Sequence, residues 1–186
     1  MISGNLEYLM SSLPHLSFRN TEEVRSGVFS VFKTYGGSSE EQGIITILDQ
    51  EAGKFLTEKT WVILRLIRLE HIHEPHFQNS PNSVLAAFSS YMYALKKEIT
   101  QLRASRKKRV VTPPPKQHRL PLTQGNPLEE EMQLLKWQWD KLEELSLGHY
   151  TDFGSLVLYK LKLLLLLRWW SFDQEKGFEN FIKSTT

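Results

Sequence analysis

Cysteine is absent from the 186 residues, and with it go disulfides, thiolate metal sites, thiol nucleophiles and iron–sulfur clusters. Long apolar stretches are lacking too. The leucines from Leu163 to Leu167 are bracketed by Lys160, Lys162 and Arg168, whereas a membrane-spanning helix needs about 20 consecutive apolar residues. No bilayer span is expected. The opening MISGNLEYLMSSLPHLSF has no cationic start followed by an unbroken apolar stretch, so export is not expected.

A dominant charge is missing as well. The formal balance is +2, so attraction to nucleic acid or anionic lipid has to come from local clustering. Catalytic signatures are likewise wanting: Gly36-Gly37 lacks the Lys and Ser/Thr of a phosphate loop, and no G-x-S-x-G, H-E-x-x-H or dinucleotide fingerprint occurs. Neither an enzyme nor a cofactor is expected. Hydrophobic residues at 40% and charged residues at 24% are those of a chain that folds around a core.

What is present is helical periodicity. Glu7 to Leu13 reads as a helical turn or strand stopped by Pro14. Thr21-Glu22-Glu23 starts a helix that carries Val24, Val28, Val31 and Phe32 and ends at Gly36-Gly37. The Ser38 to Glu41 stretch caps another, with Ile44, Ile45, Ile47 and Leu48, closed by Gly53. From Thr57 to His71 the positions Trp61, Leu64, Ile67 and His71 or Ile72 predict one helix, capped by Pro75. Ser83 to Lys108 predicts a long helix on the stripe Leu85, Phe88, Met92, Leu95, Ile99 and Leu102.

Five of the eight prolines lie between Val110 and Pro127, which predicts an extended connector. The chain is thus read as one helical domain, 1–186, with an N-terminal section 1–109, a connector 110–127 and a C-terminal section 128–186. After the connector, Asn126-Pro127 starts a helix with Glu129, Glu130 and Glu131 in or near its first turn and a stripe of Leu128, Met132, Leu135, Trp139 and Leu142. Gly148 stops it. Asp152 caps the next, with Leu156, Tyr159, Leu163, Leu166 and Trp170, and Ser171 or Asp173 starts a short last helix. The fold class is all-α, an irregular bundle of about seven helices.

Two clusters invite a ligand. His71, His73, Glu74 and His76 are zinc-ligand types, but His71 and His73 face different sides of a helix and Pro75 interrupts the turn, so they read as polar helix-end groups. Arg103, Arg106, Lys107, Lys108 and Arg109 form the strongest cationic run. Without interleaved aromatics they read first as a solvated helix end complementing the dipole, and otherwise as a phosphate-binding arm.

The leucine run belongs at the centre of a bundle, because a helix apolar around most of its circumference needs neighbours on several sides. Trp169 and Trp170 point about 100° apart, so one of them is free to face outward. Exposed Trp and Arg anchor interfaces, which nominates Arg168, Trp169, Trp170, Phe172, Phe178 and Phe181 as partner-binding residues.

Three stretches, Tyr8-Leu-Met-Ser-Ser-Leu-Pro14, Asn126-Pro-Leu-Glu-Glu-Glu131 and Leu167-Arg-Trp-Trp-Ser-Phe-Asp-Gln-Glu-Lys-Gly177, together resemble a small bacterial family of uncharacterised proteins associated with V/A-type ATPases. That family is distantly similar to the funnel-like socket component of these rotary machines, the C-type component of the V/A enzymes and the d-type component of the eukaryotic ones. The resemblance implies an all-helical, non-catalytic component that contacts the membrane rotor ring and the central stalk. It also implies a cytoplasmic location, peripheral on the inner face of the cytoplasmic membrane, and no small-molecule substrate. The C-type component has three similar helical portions, so 186 residues suit a reduced or accessory version. The alternative is a helical nucleic-acid-binding protein using the basic cluster at 103–109.

Overall fold

The structure, a computed structural model, describes residues 6–35, 41–108, 122 and 126–172, the side chains of 41, 42 and 106–108 excepted. Eight helices make up the described fold: α1 (Leu6–Ser12), α2 (Glu22–Thr34), α3 (Glu41–Gly53), α4 (Glu58–Leu66), α5 (Pro75–Gln78), α6 (Ser83–Lys108), α7 (Pro127–Leu145) and α8 (Phe153–Trp170). No strand occurs among the described residues, and the all-α expectation holds. The helix expected to begin at Ser171 or Asp173 is not found at Ser171, which is the C-cap of α8. Asp173 lies outside the described residues.

Local chemistry sets at least half of the helix starts. Thr21, Thr57, Asn126 and Asp152 each take a backbone N–H of the first turn onto a side-chain oxygen, satisfying a donor that has no partner inside the helix. Pro127 then occupies the first position of α7, where its missing N–H costs nothing. Gly148, with φ of 87°, supplies the left-handed residue in the turn between α7 and α8 that other residues adopt only at a cost.

α8 is the axis of the bundle. It packs against α7, α6 and α3, while α3 in turn meets α1, α2 and α4, and α5 lies on α6. Leu156, Leu161, Leu163, Leu165 and Leu166 are all wholly buried, so the leucine run is core on several sides, as its composition demands. The stripe of α6 is buried at Leu85, Phe88 and Leu95, and that of α7 at Leu135, Trp139 and Leu142. One hydrophobic cluster includes residues of both sections, from Leu9 to Trp170. Among the described residues, no helix is long and apolar enough to cross a membrane.

One helix is shorter than its periodicity predicts. The expected helix from Thr57 to His71 ends at Leu66, and Ile67 turns extended with ψ of 115°. At this end the Leu64 carbonyl accepts two hydrogen bonds, from the Ile67 N–H at 3.2 Å and from Lys160 Nζ of α8 at 2.8 Å. An ammonium suits a helix C-terminus, where the last carbonyls carry partial negative charge and lack full partnership within the ladder. Ile67 and Ile72 still reach the core through the irregular segment that follows, and Pro75 opens α5 instead of capping α4.

Lys160, which the sequence groups with Lys162 and Arg168 as a charged bracket, is wholly buried. Its Nζ lies 2.6 Å and 2.9 Å from the two carboxylate oxygens of Asp49 in α3. With the Leu64 carbonyl, all three ammonium protons have acceptors. Burial pushes the Asp49 carboxyl up, opposed by the Lys160 charge, and pushes the Lys160 ammonium down, opposed by Asp49. Each group offsets part of the cost that burial imposes on the other's charge.

Candidate partner-binding surface

The residues nominated as partner anchors divide sharply in the structure. Trp170 is buried, its ring packed near Phe29 at 6.0 Å between centroids and its Nε1 donating to the Arg19 carbonyl at 3.0 Å. It is a core residue that ties the segment before α2 to the end of α8, and it presents no ring to a partner. Trp169, half-buried, stacks on Phe18 with centroids 4.3 Å apart. Phe18 also meets Trp139 at 5.4 Å, so an aromatic row crosses from the segment after α1 to α7. Offset aromatic pairs of this kind add about 0.5–1.5 kcal/mol beyond their buried area. Phe172 is half-buried against the same core.

Arg168 does face outward. Its Nε lies 2.8 Å and its Nη2 2.6 Å from Glu131 Oε1 in α7, and the side chain remains 45% exposed. Arg103 of α6 is exposed and shares with Arg168 the wall of a cavity of about 320 Å³ between α6, α7 and α8, where Glu131 and Lys96 also stand. On its other side Arg168 borders a second cavity of about 600 Å³, lined also by Arg68, Glu70 and Leu167. Members of the two nominated sets, the tryptophan end of α8 and the basic end of α6, are thus brought to one face. Arg106, Lys107 and Lys108 belong to α6 with their side chains outside the described set, and Arg109, Phe178 and Phe181 lie outside the described residues.

The histidines sit where helix-end groups belong. His71 Nδ1 is 2.6 Å from one oxygen of Glu74 and His76 Nδ1 3.5 Å from the other, while His73 Nε2 faces Lys96 Nζ at 2.8 Å. No group of three metal-binding side chains forms among the described residues.

Two features escape a reading of the sequence. The Asp49–Lys160 pair is detectable there only as register: Lys160 falls with Leu156, Leu163 and Leu167, and Asp49 with Ile45, Leu48 and Ala52, on faces that are buried. The second is an exposed stripe on α4, where the Arg65 guanidinium stands 4.7 Å over the Trp61 ring.

Set beside known proteins, the chain matches no family model, and no curated protein or solved structure matches it. The fold and this face define a helical bundle with a charged, partly aromatic surface.

Proposed function

We propose that the chain is a non-catalytic helical component of a V/A-type rotary ATPase, a reduced or accessory relative of the C-type socket component that works by protein–protein contact. The ATPase assignment rests on the resemblance of the three sequence stretches. A single observation supports treating them as a unit: Arg168, from the last stretch, holds Glu131, from the second. The first is tied to the same helix, since the Pro14 carbonyl accepts a hydrogen bond from the Tyr159 hydroxyl at 3.0 Å. Residues far apart in sequence therefore build one end-to-end framework around α8, with Arg168, Arg103 and Trp169 at or near its surface. In this reading the protein is cytoplasmic and peripheral on the membrane, meeting the rotor ring and central stalk.

Co-purification from native membranes in mild detergent tests the proposal. Proteins of the rotor ring and stalk should stay with the tagged protein at both low and high salt. Recovery of nucleic acid alone, washed off as salt rises, would overturn it in favour of phosphate binding through Arg103 and its basic neighbours.

A further inference from the structure

The outer face of α4 has no partner within the described fold. Val62 is 45% and Leu66 55% exposed, and one turn apart on a helix they form an apolar ridge. Beside it, Arg65 lies over Trp61, whose own Nε1 is fixed by a 2.7 Å hydrogen bond to the Asp49 carbonyl. Arg68 follows just beyond the helix end and is exposed. These groups line a groove of about 850 Å³ that continues past Gln50 to His71 and Phe77.

The groove is lined by the guanidiniums of Arg65 and Arg68 and by the carboxylates of Asp49 and Glu74. Among the described residues neither Arg65 nor Arg68 has a carboxylate within ion-pair distance. Of the carboxylates nearby, Asp49 is engaged by Lys160 and Glu74 by His71 and His76, while Glu70 shares with Arg68 the lining of the neighbouring cavity. Two guanidiniums that make no direct ion pair and act on Asp49 only at longer range, one of them preorganised on an indole, stand next to an exposed aliphatic ridge. Arginine in this setting recognises carboxylates in two-pronged geometry and gives up little freedom in doing so.

We propose that the α4 groove docks an acidic amphipathic helix of a partner protein, with its carboxylates on Arg65 and Arg68 and its apolar positions, three or four residues apart, on Val62 and Leu66. The docking mode is helix-in-groove, in which a stripe of apolar anchors supplies affinity and flanking charges set register. Arg68 also lines the cavity beside Arg168, but the proposed docking does not depend on the ATPase assignment.

The test is selection of binders to the full-length protein from a random library of peptides about four helical turns long. Binding is read by fluorescence anisotropy and by the emission of the tryptophans. Recovered peptides should be enriched in Asp and Glu interleaved with apolar residues, and their Kd should rise at least about tenfold for the double variant Arg65→Gln/Arg68→Gln. Leu66→Ser should weaken them as well. Both sets of side chains are exposed, so circular dichroism melting should show all variants folded. Failure to recover binders, binders without acidic enrichment, or affinity indifferent to the arginine substitutions would overturn the proposal. A single-stranded oligodeoxynucleotide that binds through Arg65 and Arg68 where no peptide does would overturn it too, reassigning the arginines to phosphate.

Discussion

Lys160 on α8 and Asp49 on α3 are joined by a hydrogen-bonded ion pair of 2.6 Å at a point where the lysine is entirely buried. Pairs of this kind are costly to break and not costly to replace. Removing one partner strands the other charge, at about 3–5 kcal/mol, whereas apolar substitution of both is often neutral or stabilising. Lys160→Met and Asp49→Leu should therefore each lower the urea midpoint markedly, and the double variant should stand closer to the parent than either single one. Additive losses in the double variant would show that the pair is not coupled.

Leu166→Ala should cost about 2–5 kcal/mol, because the side chain is wholly buried on the central helix and the vacated volume is walled by its neighbours. Trp170→Phe should also destabilise, by about 1–3 kcal/mol, since it leaves the Arg19 carbonyl without its donor. Denaturant titration of both variants checks the assignment of this end of α8 to the core. An unchanged midpoint for Trp170→Phe would return that ring to the surface candidates.

Arg168→Glu places a carboxylate against Glu131. The native pair is exposed enough that its loss should cost only about 0.2–1 kcal/mol. Under the proposed function the same change should abolish partner recovery from membranes, and Arg168→Glu combined with Glu131→Arg should restore folding stability without restoring the partner. Equal recovery by all three proteins would remove Arg168 from the interface.

Tyr159 gives the alkaline limb of the stability curve. Burial pushes its hydroxyl far up from the ordinary phenol value, with the neighbouring Tyr35 adding to the effect. The folded state thus holds a proton that the unfolded chain releases at a pH of about 10. Stability from this group is fully present below that pH and is lost as pH rises, by about 1.4 kcal/mol per unit. At neutral pH the parent should exceed Tyr159→Phe by about 1 kcal/mol, for the bond to the Pro14 carbonyl. Above a pH of about 10 that advantage should shrink and then reverse. Parallel melting curves for the two proteins from neutral to alkaline pH would contradict the assignment.

How much of the fold is legible in the sequence differs from one element to the next. The stripes of α6, α7 and α8 can be read there because their apolar residues recur at the helical period over several turns, and all three pack as that period requires. The end of α4 cannot, since the Leu64 carbonyl in its last turn is shared with Lys160, which arrives from a helix 96 positions further on. Periodicity describes one helix at a time and is blind to a partner supplied by another. The same limit hides the role of Trp170: its two neighbours in the chain, Trp169 and Ser171, say nothing of the Arg19 carbonyl that receives its N–H. On the surface, residue type nominates Arg168 and Arg103, but the cavity that unites them depends on how α6 crosses α8.

Three polar ties to α8 span long stretches of chain: Tyr159 to Pro14 over 145 positions, Trp170 to Arg19 over 151, and Lys160 to Asp49 over 111. During synthesis Ile44, Leu48 and Leu64 would leave the ribosome lacking the helix that covers them, and their core must wait for α8 before it can close. Such topology slows folding and prolongs exposure of apolar surface. A nascent chain of this kind is a natural client for holding chaperones, and its yield in a cell-free system should depend on them more than that of a bundle whose neighbours follow one another in sequence.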